Sequence, residues 1–186
     1  MDTAARSREP YSDLVIDTHD LGRGAGRMMQ VQRTAEAPAE LGIEVIGVPQ
    51  GSPIELDLRL ESVVEGVLVT GTADARLAGQ CVRCLVDLTD ETVVDFQELY
   101  VYPDKESEDT ETEEEIRHLN GDLIDLEPVL RDSVVLDLPF QPLCRPDCLG
   151  LCPECGADLN ADPEHGHQAP VDPRWSGLAA WPGEES

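Results

Sequence analysis

Residues 54–61 read Ile-Glu-Leu-Asp-Leu-Arg-Leu-Glu, four apolar side chains in strict alternation with four charged ones. Only an extended strand, with its period of two, puts the apolar set on one face and the charges on the other. Residues 64–67 then form a turn in which Gly66 is expected to supply a positive φ. Val67, Val69, Gly71, Ala73, Ala75 and Leu77 alternate with Leu68, Thr70, Thr72, Asp74 and Arg76 beyond it. The two stretches pair as a hairpin with one wet face. The small residues Gly71, Ala73 and Ala75 point to curvature or close packing. Residues 88–101 give a third β-rich stretch through Thr92, Val93, Val94, Phe96, Leu99, Tyr100 and Val101. Short connections without a crossover helix make the sheet antiparallel.

The rest of the chain adds smaller pieces. Leu14-Val15-Ile16 suits a short strand, and residues 41–48 suit another that ends at Pro49. Residues 126–136 have helical spacing: Leu126, Val129, Leu130, Ser133 and Val134 share a face, Pro128 suits the first turn, and Pro139 stops the helix. Near the end, Asp172 and Pro173 read as the cap and first turn of a short helix with Trp175, Leu178 and Trp181 on one side. The expected fold is α+β and mainly β. It is an antiparallel curved sheet or partly open barrel, with one or two short helices and a C-terminal zinc-knuckle segment. The expected organisation is a disordered tail over 1–11, a β-rich body over 12–140, and a Cys-rich knuckle with a tail helix over 141–186. Within the body, residues 104–115 hold eight acids, one lysine and no apolar side chain, and read as a disordered loop.

Six cysteines concentrate the chemistry. Cys144, Cys148, Cys152 and Cys155 fall within twelve residues, and Cys81-Val-Arg-Cys84 lies at the end of the return strand, in a turn. Cys-Pro-Glu-Cys-Gly at 152–156 has the form of a metal knuckle, in which backbone amides turn toward the sulfurs. Two arrangements fit. In the first, Cys144, Cys148, Cys152 and Cys155 bind one zinc, and Cys81 with Cys84 stand apart as a second site or alternative ligands. In the second, Cys81/Cys84 and Cys152/Cys155 meet as in a zinc ribbon. The first is favoured, because local ligands avoid closing a loop of roughly 70 residues. His165-Gly-His167 can supply a ligand, but four cysteines just upstream leave no need of one.

Charge narrows the partners. The net charge of −26 argues against a surface built to wrap nucleic acid. It is uneven: residues 1–34 balance five arginines with five acids, while residues 35–186 carry the whole excess. A basic protein suits that body. Arg23, Arg27 and Arg33, on and beside a glycine-rich loop, are the candidate RNA contacts. That loop lacks the spacing and following helix of a phosphate-binding loop, and no catalytic triad or His-Glu-x-x-His pattern appears, so no catalytic residue is assigned. The N-terminus has no apolar signal segment and no run is long enough to span a membrane, so a cytoplasmic location is expected, where thiols favour metal over disulfides.

Four stretches together resemble the YceD-like family of large ribosomal RNA subunit accumulation proteins. They are residues 65–71 (Glu-Gly-Val-Leu-Val-Thr-Gly), Cys81-Val-Arg-Cys84-Leu85, residues 96–100 (Phe-Gln-Glu-Leu-Tyr), and the segment from Leu143 through the four cysteines to Gly156, Leu159 and Asn160. The resemblance covers residues 12–181. It implies a small bacterial cytoplasmic protein without known catalytic activity, needed for accumulation of 23S ribosomal RNA and so for large-subunit biogenesis. The expected partner is large-subunit rRNA or a precursor particle, or a basic ribosomal protein, with no membrane and no small-molecule substrate. Readings from other classes are a thiol redox protein using Cys81 and Cys84, and a zinc-ribbon nucleic-acid-binding module.

Overall fold

A computed structural model describes residues 12–105, 116–167 and 174. Its elements are β1 (Val15–Asp17), β2 (Met28–Glu36), β3 (Leu41–Ile43), β4 (Ile46–Val48), β5 (Pro53–Ser62), β6 (Gly66–Gln80), β7 (Asp87–Val101), β8 (Arg117–His118), β9 (Leu123–Asp125) and α1 (Glu127–Asp137). The expected 1–11 tail lies outside the described residues. So do the tail helix, apart from Arg174, and nearly all of the acidic run.

The mainly β reading holds, as an open antiparallel sheet and not a closed barrel. β6 is the spine. One of its edges pairs with β5 and then with β4, and the other pairs with β7 over all fifteen residues. β2 lies outside β5, and β3 outside β4. Only the short β7–β8 pairing is parallel. β1 and β9 form a separate two-stranded sheet. The single stretch expected over 41–48 is instead the tight β3–β4 hairpin.

The alternation that announced β5 is realised in full. Ile54, Leu56, Leu58 and Leu60 are buried, while the intervening charges are exposed. Their neighbours across the ladders are Ala75, Ala73, Gly71 and Val69 on β6, then Val94 and Phe96 on β7. A second layer closes this apolar face: Leu14 and Ile16 from β1 and the residue before it, Ile124 from β9, Leu126 at the helix cap, and Val129, Leu130 and Val134 from the helix. The residues that define the sheet's inner face and those on the apolar stripe of α1 therefore form one core.

α1 begins without a side-chain cap from Leu126; the Asp125 carboxylate one residue earlier accepts the Glu127 N–H at 2.9 Å. It ends where Leu138, preceding Pro139, turns extended. Arg117 ties helix to sheet by facing Glu98 on β7 at 3.4 Å and Asp132 on α1 at 2.6 Å. Tyr100, buried in β7, donates its hydroxyl to the Asp125 carbonyl at 2.8 Å.

Gly66 has a reason other than the expected one. It is the first residue of β6, and it is not among the residues with positive φ. A Cβ there would stand 1.9 Å from the Tyr100 carbonyl oxygen, so glycine serves the close approach of β7.

Candidate metal centres

The long β6–β7 hairpin ends in the loop 81–86, which holds Cys81 and Cys84 beyond the part of β6 that pairs with β5. There the Cys81 N–H donates to the Val86 carbonyl and the Leu85 N–H to the Cys81 carbonyl, both at 2.9 Å. The same two bonds recur at the second knuckle. The Cys152 N–H donates to the Ala157 carbonyl and the Gly156 N–H to the Cys152 carbonyl, both at 2.8 Å. The fifth residue of each turn is left-handed: Leu85 has φ 59° and Gly156 φ 74°. The two Cys-x-x-Cys turns are thus one local structure used twice, once with the glycine that such a φ favours and once without it.

The spacing favours Cys144, Cys148, Cys152 and Cys155 on one ion, but the structure divides that run. Cys144 and Cys148 converge with Cys81 and Cys84, while Cys152 and Cys155 converge with His165 and His167. Neither group joins Cys81/Cys84 to Cys152/Cys155 as a zinc ribbon would. In the first group Cys81 Sγ and Cys148 Sγ are 3.8 Å apart, and Cys84 Sγ and Cys144 Sγ 3.5 Å. Sulfurs on a tetrahedral zinc with bonds of about 2.3 Å stand about 3.8 Å apart. A disulfide would bring them to about 2.05 Å. All six thiols are free.

Tertiary contacts assemble this group. The segment after α1 docks on the hairpin tip: the Val82 N–H donates to the Pro142 carbonyl at 3.0 Å, the Arg83 guanidinium to the Cys148 carbonyl at 2.8 Å, and the Leu151 N–H to the Arg83 carbonyl at 3.1 Å. Asn160 braces the loop from the other side. Its carboxamide oxygen accepts from the Leu149 N–H at 2.8 Å and from Arg145 at 2.7 Å, and its Nδ2 lies 3.6 Å from Cys148 Sγ. Arg83 and Asn160 lie within the stretches that carry the family resemblance, but nothing in their residue type or spacing marks them as supports.

The electrostatics suit a divalent cation. At Cys81 burial opposes ionisation, but the N–H groups of Cys84, Cys144 and Arg83 outweigh it and lower the thiol to about 6. At Cys152 the N–H groups of Glu154 and Cys155 prevail over burial with the same result, about 6. Burial first, then the thiols of Cys84, Cys148 and Cys81, push Cys144 up to about 12. One thiolate in each group forms readily, and in the first group further ionisation is resisted by burial and like charge. A bound cation removes that resistance. The residues present therefore fit a soft tetrahedral metal. Cys81-x-x-Cys84 joins two strands, and among the described residues its low thiol comes from loop N–H groups within the cluster itself, the same groups that would stabilise a metal-bound thiolate.

The arginines do not form one patch. Arg23 pairs with Asp104 at 3.1 Å and lies over the Tyr102 ring. Arg33 donates to the carbonyls of Asp13 and Val15 at 3.0 and 3.1 Å, binding β1 to β2. It lies roughly 20 Å along β2 from Arg27. The outer face of the main sheet, by contrast, has an excess of acids: Glu55, Asp57, Asp74, Glu91 and Asp95 are exposed, beside Arg59 and Arg76, which pair with Glu61 and Glu91. Among the described residues, no helix is long and apolar enough to cross a membrane.

Residues 69–180 match the family model described as large ribosomal RNA subunit accumulation protein YceD. The chain is 45% identical to an uncharacterized protein of Mycobacterium tuberculosis, over 96% of this chain and 86% of that one. It is 41% identical to an uncharacterized protein of Mycobacterium leprae, over 92% of this chain and 78% of the relative. A more distant relative, an uncharacterized protein of Bacillus subtilis, is 25% identical over 68% of this chain and 73% of its own length. No solved structure matches.

Proposed function

The chain belongs to the YceD family, and on that premise we propose that it is a non-enzymatic, cytoplasmic ribosome-biogenesis factor that supports 23S rRNA accumulation and large-subunit assembly. The family match carries this reading. Zinc is held by Cys81, Cys84, Cys144 and Cys148. When bound there it supplies a structural cross-link and no reactive position, because four protein ligands fill a tetrahedral shell. The cross-link fastens the segment after α1 to the tip of the β6–β7 hairpin.

Contact with the particle runs through a basic ribosomal protein laid on the acidic outer sheet face. Two observations favour this over direct rRNA contact. The row Asp57–Thr72–Asp95, exposed at both acids and half-buried at Thr72, crosses three strands without a covering layer among the described residues. Arg23 and Arg33 are already engaged within the fold. Phosphate binding needs cations free to displace counterions, which such engaged arginines supply poorly.

Sedimentation of the tagged protein in a lysate gradient, at low and at moderate salt, tests the reading. Comigration with free or precursor large subunits is expected, weakening as salt rises. Glu55→Lys, Asp57→Lys and Asp95→Lys together abolish it, while Arg23→Glu with Arg27→Glu and Arg33→Glu leave it in place wherever the variant stays folded. The opposite pattern would transfer the contact to rRNA. Sedimentation entirely at the top under both conditions would remove the particle from the account.

A further inference from the structure

We infer that Cys152, Cys155, His165 and His167 form a second, separate zinc site, so that the chain carries two zinc ions and splits one cysteine run between them. Nothing in this rests on the ribosomal reading. The inference would survive the failure of every particle-binding experiment.

The donor atoms converge. Cys155 Sγ lies 3.1 Å from His165 Nε2 and 3.2 Å from His167 Nε2, and the two Nε2 atoms are 3.0 Å apart. With bonds of about 2.3 Å to sulfur and about 2.05 Å to nitrogen, tetrahedral ligands stand about 3.3–3.6 Å apart. The observed spacings are that shell drawn slightly inward. Cys152 completes the set, with its ligand atom within 4.8 Å of the others.

The outer ring nitrogens face acids. His165 Nδ1 faces the Asp162 carboxylate at 4.0 Å, and His167 Nδ1 faces Glu154 at 3.6 Å. A carboxylate on that side favours the proton on Nδ1 and turns the Nε2 lone pair inward. Two such lone pairs 3.0 Å apart repel each other unless a cation lies between them. Neither contact is a direct hydrogen bond at these distances, but a carboxylate on the outer side is the partner that commonly fixes the tautomer of a ligating histidine.

The surrounding backbone is built to hold the four groups. Cys152 and Cys155 sit on the knuckle already described. The histidines return to it through the turns at 158–165, where the Asp162 N–H donates to the Asp158 carbonyl at 3.2 Å and the His165 N–H to the Asp162 carbonyl at 3.1 Å. Leu151 bridges Asp158 across the base. Residues 151–167 contribute no apolar side chain to the main core. A bound ion would supply the order that this segment cannot draw from burial. Two thiolates and two neutral imidazoles exactly balance the charge of one zinc, whereas four thiolates leave the first site with a net charge of −2. The sites therefore differ in character, one anionic with two buried ligands, the other neutral with two exposed ones.

The test is zinc content per chain, measured on the purified full-length protein, with cobalt(II) substitution as the spectroscopic readout. Two ions are expected. His165→Ala with His167→Ala should bring the count to one and remove the cobalt d–d band of the mixed nitrogen–sulfur site. The all-thiolate band, at longer wavelength, should stay. Cys84→Ser with Cys144→Ser should do the reverse, keeping the mixed-ligand band. Should that variant lose its fold, cadmium-113 NMR of the unaltered protein gives the same answer through two resonances, the one from four sulfurs further downfield. One zinc in the unaltered protein, two in the histidine variant, or a single cadmium resonance would overturn the inference.

Discussion

Gly71→Ala adds one methyl group at the most crowded point of the sheet. Gly71 faces Leu58 on β5 and Phe96 on β7, in one row across three strands. A Cβ built there stands 2.5 Å from Leu58 Cδ2, 3.0 Å from the Asp57 carbonyl oxygen and 3.2 Å from Phe96 Cζ. Carbon atoms rest at about 3.5–4.0 Å, so Leu58 has to withdraw by at least about 1 Å. It is fully buried and has no solvent to move into. Overpacking of this kind costs about 1–3 kcal/mol. Replacing a strand glycine returns about 0.5–1 kcal/mol of backbone entropy. The net loss is about 1–2 kcal/mol, which for a chain of this size lowers Tm by about 3–6 °C. Urea unfolding of the zinc-saturated protein measures it directly. Leu58→Val removes the offending methyl, and in the double variant the two losses should fall short of additivity by at least about 0.5 kcal/mol. An alanine variant as stable as the parent, or a strictly additive cycle, would refute the packing argument.

Tyr100→Phe should cost about 1 kcal/mol through the lost bond to the Asp125 carbonyl, read by urea denaturation at pH 8. Burial holds the Tyr100 phenol well above its usual range, so the unfolded chain releases that proton first. Stability should therefore fall as pH rises past about 10, and less steeply in the phenylalanine variant. His19 is raised by its hydrogen bond to Asp122 and then by that carboxylate's charge; Asp122→Asn should lower its titration midpoint, followed by the imidazole proton shifts in NMR. Its charged form favours the fold below the unfolded value, and that contribution disappears as pH rises through the folded one. A competing chelator should strip zinc in two phases, the faster from the exposed Cys155 and His167 group and the slower from the site holding buried Cys81 and Cys148, followed by a chromogenic zinc indicator. Gly156→Ala meets nothing within 4 Å, so only its positive φ is strained; about 1 kcal/mol, or roughly fivefold in metal affinity at that knuckle, is expected from competition titration.

Local periodicity determined which stretches became strands and helix. The alternation in 54–61 and 67–77 and the stripe in 126–134 each report a buried face, and burial is what the core required of them. β2 carried no such signal, because only Ala35 on it is buried. It is an edge strand held by backbone pairing with β5, and backbone pairing leaves little mark on side-chain pattern. The sequence also determined that the cysteines belong to knuckles, since the Cys-x-x-Cys turn is a local structure. Which cysteines meet was decided by the tertiary structure alone. Economy of loop closure favours the four neighbours at 144–155, but that cost does not fall on the metal here. Packing of α1 against the sheet closes the loop between Cys84 and Cys144 first, and the hairpin tip then delivers Cys81 and Cys84 to Cys144 and Cys148. Cys152 and Cys155 are left outside that group and lie beside His165 and His167. A spacing rule counts residues along the chain, whereas a coordination shell is set by distances through space that the core has already fixed.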